Sequence, residues 1–306
     1  MALIGHHETV ADAVNYERQL SAALDLYQSL GFAAVKTGYV ADAGQARVFG
    51  VDGQAHYGWH EGQDMARHHL KVAHEAGRRR ITVNPHEPFK DTGLRRTFPH
   101  LVTREGARGM EFNAWGQPGN PPEHEANLVF TRLLAWPMDF TPGIFGMHTQ
   151  TAQGVPTTWA KQLALYVVIH SPLQMAADLL AHYEANPGPF QFIKDVPVDW
   201  FETRVLNGEV GDFVTIVRKD RHSEDWYLGA ISDEEGRSLS VSLGFLTPGV
   251  VYQAQIYRDG PEAHWQGRRE DIVIEQREVT STDTLPLQLA PGGGQAIRFL
   301  CRKASA

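Results

Sequence analysis

The chain has 306 residues, 42% of them hydrophobic and 21% charged, which predicts a folded protein of one large domain or two smaller ones. Its formal net charge is -8, so a nucleic-acid surface is not expected, because neutralising phosphates needs a basic patch. A single cysteine excludes an intrachain disulfide and a thiolate zinc cluster, and the apolar stretches are too short to span a membrane.

The first two thirds of the chain alternate between short apolar runs and amphipathic stretches. The amphipathic stretches carry apolar residues at helical spacing and predict helices at 12–30, 62–76, 123–135 and 157–169. The apolar runs predict strands at 2–7, 33–40, 80–87, near 101–112, at 137–143 and within 169–178. Strand–helix alternation predicts a parallel α/β sheet, and about six such units indicate a partial (β/α)₈ TIM-type barrel.

The last third changes to short alternating runs separated by Gly, Pro, Asp and Ser. About seven such runs, with no helical pattern between them, predict a C-terminal antiparallel β-sandwich. We therefore predict an α/β plus all-β chain, with a catalytic barrel domain at 1–195 and a β-sandwich domain at 196–306.

Polar residues collect where the predicted barrel strands end, and they include four carboxylates: Glu8, Glu87, Glu105 and Glu111. Barrel chemistry sits at the C-terminal ends of the strands, so we expect these groups to face one cavity. Two carboxyl groups flanking an anomeric carbon can hydrolyse a glycosidic bond. Several carboxylates in one cavity repel one another, and raised pKa values or a bound cation relieve that repulsion. A set of ligands made only of oxygen atoms suits calcium. Two alternatives stay open at this point: solvated strand ends, or salt bridges to Arg104 and Arg108.

Histidines and tryptophans give weaker signals. His68, His69 and His74 lie on one predicted helix but lack the H-E-x-x-H spacing of a zinc site, so we expect an exposed helix face. The tryptophans are interpreted either as platforms on which sugars stack or as core residues: Trp59, Trp115 and Trp136.

Several longer stretches are more specific. Residues 84–115, which begin NPHEPFKDTG and end GMEFNAW, resemble glycoside hydrolase family 97, and four further stretches do so too: 6–9, 35–40, 130–145 and 162–178. Residues 190–200 resemble the junction to the C-terminal β-sandwich of that family. The resemblance implies a calcium-dependent bacterial α-glycosidase.

The family resemblance also assigns roles. Retaining members carry an aspartate nucleophile where this chain has Gly38 in VKTG, whereas inverting members resemble this chain there. The resemblance therefore implies Glu111 as general acid, with Glu8 and Glu87 as the general-base pair that positions water. It further implies Ca²⁺ bound by Glu87, Glu105 and Glu111. The residues expected to contact the sugar in the first subsite are His6, Lys36 and His86.

The chain also departs from the family, whose members are longer. They have an N-terminal β-sandwich and two barrel strands before the motif that reads HHET at residues 6–9 of this chain. From this we expect a fragment whose missing part supplies a further calcium ligand. We also expect exposed sheet edges, so that the missing segment or self-association is needed for stability. Pro88 follows Glu87 where the family motif reads HEA, and its effect on the base is open. Family members are typically periplasmic, which suggests that compartment.

The leading interpretation is an inverting, calcium-dependent α-glucosidase acting on malto-oligosaccharide-type substrates. One alternative is a related α-galactosidase, although the α-galactosidase-like members resemble the retaining branch and Gly38 argues against it. The other alternative is an inactive carbohydrate-binding fragment, because the N-terminal part is missing.

Overall fold

The computed structural model describes residues 2–302, which form two compact units. The first unit holds the residues up to Ala107 together with Ala135–Asp139 and Ser171–Leu173. The second holds Arg108–Leu134, Phe140–His170 and the residues from Gln174 onward. This division differs from the single boundary predicted at residues 195 and 196, and the assignment of domains to 1–195 and 196–306 stays a prediction.

The first unit contains five strands and two helices among its described residues. They are, in chain order, β1 (Gly5–Glu8), α1 (Ala13–Ser29), β2 (Ala34–Gly38), β3 (Ala46–Phe49), β4 (Ala55–Gly58), α2 (Gln63–Arg78) and β5 (Thr82–Pro85). The predicted helices at 12–30 and 62–76 and the predicted strands at 2–7, 33–40 and 80–87 are confirmed within a few residues.

A parallel sheet with the strand order β1-β2-β5 is the centre of the first unit. All five residues of β2 are buried, as expected for a strand covered on both faces. Single parallel bridges continue the array from Val83 to Leu101 and from Arg104 to Met138. The arrangement fits the predicted barrel, while the count of about six barrel units stays a prediction.

Helices α1 and α2 pack on this sheet because each presents one apolar stripe. Leu20 and Leu24 of α1 and Val72 of α2 join Val35 of β2 in one buried cluster, and burying each such side chain contributes about 1.5–3 kcal/mol. Asp12 caps α1 by accepting the N–H of Asn15 at 2.9 Å.

Three predicted strands of the barrel part are not strands in the structure. The stretch 101–112 makes only bridges and then enters a 3₁₀ turn at Met110–Ala114. The stretches 137–143 and 169–178 contain prolines, which cannot donate to a strand ladder. The hairpin of β3 and β4 was not predicted, because the sequence of its turn, VDGQ, and of its two short strands is typical of a polar loop.

The second unit contains four helices and eight strands among its described residues. They are α3 (His124–Phe130), α4 (Trp159–Val168), α5 (Leu180–Ala185), α6 (Pro187–Asp195), β6 (Trp200–Glu209), β7 (Phe213–Asp220), β8 (Trp226–Ser232), β9 (Arg237–Ser242), β10 (Tyr252–Asp259), β11 (Ile272–Val279), β12 (Thr284–Leu289) and β13 (Gly294–Cys301). The edge strand β6 was not predicted, because most of its residues are exposed and its buried and exposed residues do not alternate.

Six strands form an antiparallel sheet in the order β11-β10-β13-β8-β7-β6, and β12 pairs with β9 in a separate sheet. Residues of both sheets share one buried cluster, which includes Leu228 and Ile297 of the large sheet and Leu287 of the small one. This arrangement fits the predicted β-sandwich. Helix α4 lies against the large sheet, where a Cβ at Gly229 would come within 2.6 Å of the carbonyl oxygen of Ala164. No helix in the described part of the chain is both long and apolar enough to cross a membrane.

Candidate active site

The candidate site is at the carboxyl edge of the parallel sheet in the first unit. The strand register places His6, Lys36 and Asn84 side by side on β1, β2 and β5. Two residues further along, Glu8 is in register with Gly38. The N–H of His86 donates to the carbonyl oxygen of Thr37 at 2.7 Å, which holds the segment after β5 beside the end of β2.

Glu8 is held by the backbone beyond its own strand and the next. Its Oε1 accepts the N–H of Val10 at 2.9 Å and faces the N–H of Val40 at 3.4 Å. Its Oε2 lies 3.9 Å from Nε2 of His6. The carboxylate is partly exposed and therefore accessible to a substrate or a water molecule.

Gly38 leaves the space that the Glu8 carboxylate fills. A Cβ built on Gly38 would lie 1.9 Å from Oε2 of Glu8, far inside van der Waals contact. With Glu8 in this position no side chain fits at position 38, and an aspartate there would have to displace the flexible end of Glu8.

Glu87 has an unusual backbone and a fixed carboxylate. Its φ of 43° lies in the left-handed region, which is costly for a residue with a side chain and is typical of functional sites. Its Oε2 accepts the N–H of Tyr39 at 2.7 Å. With Pro88 directly after it, Glu87 is thus held in a strained conformation whose carboxylate is anchored to the end of β2.

His86 is buried, with 3% of its surface exposed, between two carboxylates. Its Nε2 lies 2.8 Å from Oδ2 of Asp139 and its Nδ1 lies 3.5 Å from Oε2 of Glu105. Burial alone lowers the pKa of His86, but the hydrogen bond to Asp139 and the negative charges of Asp139 and Glu105 outweigh it and raise the pKa. Asn84 donates to the same oxygen of Asp139.

The proposed calcium ligands are carboxylates, the hard oxygen donors that Ca²⁺ prefers. The N–H of Glu87 lies 3.3 Å from Oε2 of Glu105, so two of the three predicted ligands are neighbours in the first unit. Within residues 2–302, no group of three or more His, Cys, Asp or Glu residues is arranged to hold a metal ion. The donor chemistry fits calcium, and the site itself stays a prediction.

Glu111 lies on the 3₁₀ turn of the second unit. The turn is fixed locally: the N–H of Met110 donates to Phe140 at 2.8 Å, and Asn120 donates to the side chain of Asn113 and to the backbone of Gly109. The other predicted site residues all lie in the first unit: Glu8, Glu87, Glu105, His6, Lys36 and His86. The pairing of Glu111 with them stays a prediction.

Some functional groups of the site were missed at the sequence level. Asp139 orients His86, and its sequence gives no signal beyond a place in the predicted strand at 137–143. Asn84 precedes His86 by two positions, and this spacing places both on one face of a strand. The N–H of Tyr39 is a backbone group, and no sequence signal reports where it donates.

The aromatic and histidine predictions are decided in part. Trp59 and Trp115 are 65% and 63% exposed, so they are not core residues. Trp136 is covered by the guanidinium of Arg95 at 3.8 Å from the ring centre. The prediction of an exposed histidine face was wrong for His68 and His69, which are buried on the apolar stripe of α2.

Two family models match the chain. The one described as "Glycoside hydrolase 97" matches residues 1–107, and the one described as "Glycosyl-hydrolase 97 C-terminal, oligomerisation" matches residues 199–300.

Solved structures and curated proteins agree with these models. Structures of a Glycoside Hydrolase Family 97 enzyme from Pseudoalteromonas sp. strain K8, in complex with acarbose and with panose, are 51% identical to this chain with a TM-score of 0.92. Each match covers 98% of this chain and 47% of the other. A retaining alpha-galactosidase from Bacteroides thetaiotaomicron is 31% identical over 248 residues, which cover 78% of this chain and 36% of that protein. The chain thus spans less than half of the length of each of these proteins.

Proposed function

The chain belongs to glycoside hydrolase family 97, and from this premise we propose that it supplies the active site of an inverting hydrolase of α-glucosides. The observation that supports this most is the Glu8 carboxylate, whose Oε2 would lie 1.9 Å from a Cβ at Gly38. A retaining enzyme needs a nucleophilic side chain near the anomeric carbon, and an inverting one needs room for water. In this chain a base carboxylate occupies the place of the nucleophile.

In the proposed reaction, Glu8 and Glu87 act together as the general base. Both carboxylates are anchored by backbone N–H groups from one segment, Tyr39 and Val40, so their oxygen atoms converge beyond the end of β2. A water molecule held there would lose its proton while its oxygen attacks the anomeric carbon. Glu111 would protonate the leaving oxygen from the opposite side, about 6.5–9.5 Å from the base.

The remaining polar residues have binding roles in this proposal. We assign His6, Lys36 and His86 to contacts with the sugar in the first subsite. His6 and Lys36 are in register on neighbouring strands, and His86 is fixed in orientation by Asp139. We further propose that Glu87, Glu105 and Glu111 bind Ca²⁺, which would offset the repulsion among these carboxylates.

The glucoside preference rests on two observations. The 51% identical structures hold acarbose and panose, and panose is an α-linked trisaccharide of glucose. The Bacteroides thetaiotaomicron protein that is named a retaining alpha-galactosidase is less similar, at 31% identity, and Gly38 does not suit a retaining mechanism. The α-galactosidase alternative is therefore not favoured. An inactive carbohydrate-binding fragment is not favoured either, because all the assigned carboxylates are present.

The test is an assay of the complete protein that the gene encodes, with maltotriose, nitrophenyl α-glucoside and nitrophenyl α-galactoside as substrates. We expect glucosides to be hydrolysed faster than the galactoside, with activity lost on chelation and restored by Ca²⁺. Glu111→Ala should lower kcat on maltotriose about 10²–10⁴-fold. The loss on nitrophenyl α-glucoside should be smaller, because nitrophenolate leaves without much help from an acid.

Glu123→Gln is the matched control, since Glu123 is an exposed glutamate of the same unit. If Glu111→Ala is as active on maltotriose as this control, then Glu111 is not the acid. A faster reaction with the galactoside would refute the substrate assignment.

A further inference from the structure

Tyr39 and Val40, directly after β2, contact both glutamates of the proposed base. The N–H of Tyr39 donates to Oε2 of Glu87 at 2.7 Å, and the N–H of Val40 lies 3.4 Å from Oε1 of Glu8. Two consecutive peptide groups therefore face the two carboxylates, and the closer contact holds Glu87. Any displacement of this segment would move the base relative to the sugar.

Tyr39 itself is held at two further points. Its side chain is fully buried. Its carbonyl oxygen accepts a hydrogen bond from Nε2 of His60 at 2.7 Å. Its phenol oxygen lies 2.9 Å from Nε2 of His68, on helix α2. The N–H that holds Glu87 thus belongs to a residue whose backbone and ring are both fixed from outside the site.

His68 is in turn fixed by Glu17 of helix α1, whose Oε1 lies 2.9 Å from Nδ1 of His68. Burial raises the pKa of Glu17, but hydrogen bonds from His68 and Lys71 outweigh it and leave this pKa lowered. The ionised carboxylate can only accept, so Nδ1 of His68 carries the proton and donates it. The other ring nitrogen of His68, Nε2, pairs with the phenol oxygen of Tyr39.

We propose that Glu17 and His68 are positioning residues for the catalytic base: they fix Tyr39, and Tyr39 orients Glu87 through its backbone N–H. This inference rests on the proposed function of Glu87. In this proposal both residues act on the base through Tyr39 and not through a contact of their own with it. Their effect reaches the reaction through a chain of hydrogen bonds that runs from α1 through α2 to the end of β2.

The test compares four variants of the complete protein in steady-state kinetics with maltotriose. His68→Leu removes the hydrogen-bond partner of the Tyr39 phenol, Tyr39→Phe removes the phenol oxygen, and His68→Gln keeps a polar group that can pair with the phenol. His74→Leu is the control, because His74 is an exposed histidine on the same helix. Circular dichroism and a thermal melt establish that each variant is folded at the assay temperature.

We expect His68→Leu and Tyr39→Phe to lower kcat about 10- to 100-fold, because small misplacements of catalytic groups have effects of this size. KM should change less than about threefold, since the sugar contacts are untouched. His68→Gln should regain most of the lost kcat, and His74→Leu should match the wild type. A purely structural role for His68 would lower the melting temperature without this separation of kcat from KM.

Folded His68→Leu and Tyr39→Phe proteins with kcat within about twofold of the wild type would overturn the inference. Glu87→Ala distinguishes this from a failure of the proposed function. If Glu87→Ala is inactive while Tyr39→Phe is fully active, only the positioning role is lost. If Glu87→Ala retains activity, Glu87 is not part of the base and both proposals fall.

Discussion

Gly38 and Glu8 compete for one volume at the end of β2. The backbone of Gly38 continues the strand without any positive φ, so this glycine is needed for space and not for its conformational freedom. The carboxylate of Glu8 occupies the space that a side chain would take. A single methyl group added at position 38 would displace the Glu8 carboxylate from its observed position.

Gly38→Ala tests this competition. We expect kcat on maltotriose to fall about 100-fold, because the added Cβ displaces the Glu8 carboxylate from its position in the site. Gly58→Ala is the control, since a Cβ there would meet Val48 at an ordinary distance of 3.6 Å. A folded Gly38→Ala protein that keeps wild-type kcat would show that the position of Glu8 is unimportant.

At the residue scale, the family motifs predict more of the site than the hydrophobic pattern does. Glu8, Gly38 and Glu87 were singled out by the family motifs in which they lie, and the first unit places them together. The bond from Tyr39 to Glu87 could not be predicted, because every non-proline residue has the same N–H. The left-handed conformation of Glu87 was equally hidden, since glutamate carries no signal for it.

Helix α2 shows what helical spacing can and cannot establish. The 3.6-residue period predicts the helix and its apolar stripe correctly, with Met65, Val72 and Ala76 buried. His68 and His69 lie on the same stripe and are buried with them. Histidine is compatible with either environment, so its burial depends on neighbours from other elements, here Tyr39 and Phe89.

His69 should make the protein sensitive to acid. Burial lowers the pKa of His69 to about 3, and the charges of His68, His60 and Arg104 act in the same direction. The unfolded chain binds a proton at this histidine near pH 6.5, whereas the folded chain does so only near pH 3. Between these values the unfolded state holds more protons, so stability falls as the pH falls, by up to about 1.4 kcal/mol per pH unit.

His69→Phe is expected to remove this dependence while keeping the ring contacts with Tyr39 and Phe89. Urea denaturation of both proteins between pH 4 and pH 7 measures the free energy of unfolding. The wild-type curve should fall more steeply towards low pH than the variant curve. Parallel curves would mean that His69 does not titrate differently in the folded protein.

For the whole molecule, alternation of strands and helices predicts the α/β class and the later β-rich part. It fails in the irregular stretches at 101–112, 137–143 and 169–178: single bridges replace strands in the first two, and the third has neither. In those stretches prolines and glycines break the ladders, while contacts with other segments fix the chain. The sequence pattern alone contains neither the pairing partner nor the length over which pairing persists.

The whole chain is expected to self-associate. Residues 199–300 match a family model described as an oligomerisation domain, and the edge strand β6 exposes Phe201 and Val205. Such an edge offers unpaired backbone groups and apolar surface. Light scattering should therefore give a mass above the 34.1 kDa of one chain, decreasing on dilution.

Val205→Lys should lower that mass, whereas Val51→Lys, at an exposed position of the first unit, should not. A mass of 34.1 kDa at all concentrations would contradict the expectation of self-association.

The central claim of the account is inversion at the anomeric carbon, and the anomer of the first product tests it most directly. The complete protein is mixed with maltotriose, and proton NMR spectra are recorded before the released sugars interconvert by mutarotation. Attack by water held between Glu8 and Glu87 predicts the β-anomer as the first new reducing end. Initial release of the α-anomer would contradict the account, because it requires a covalent intermediate and a nucleophile that Gly38 does not provide.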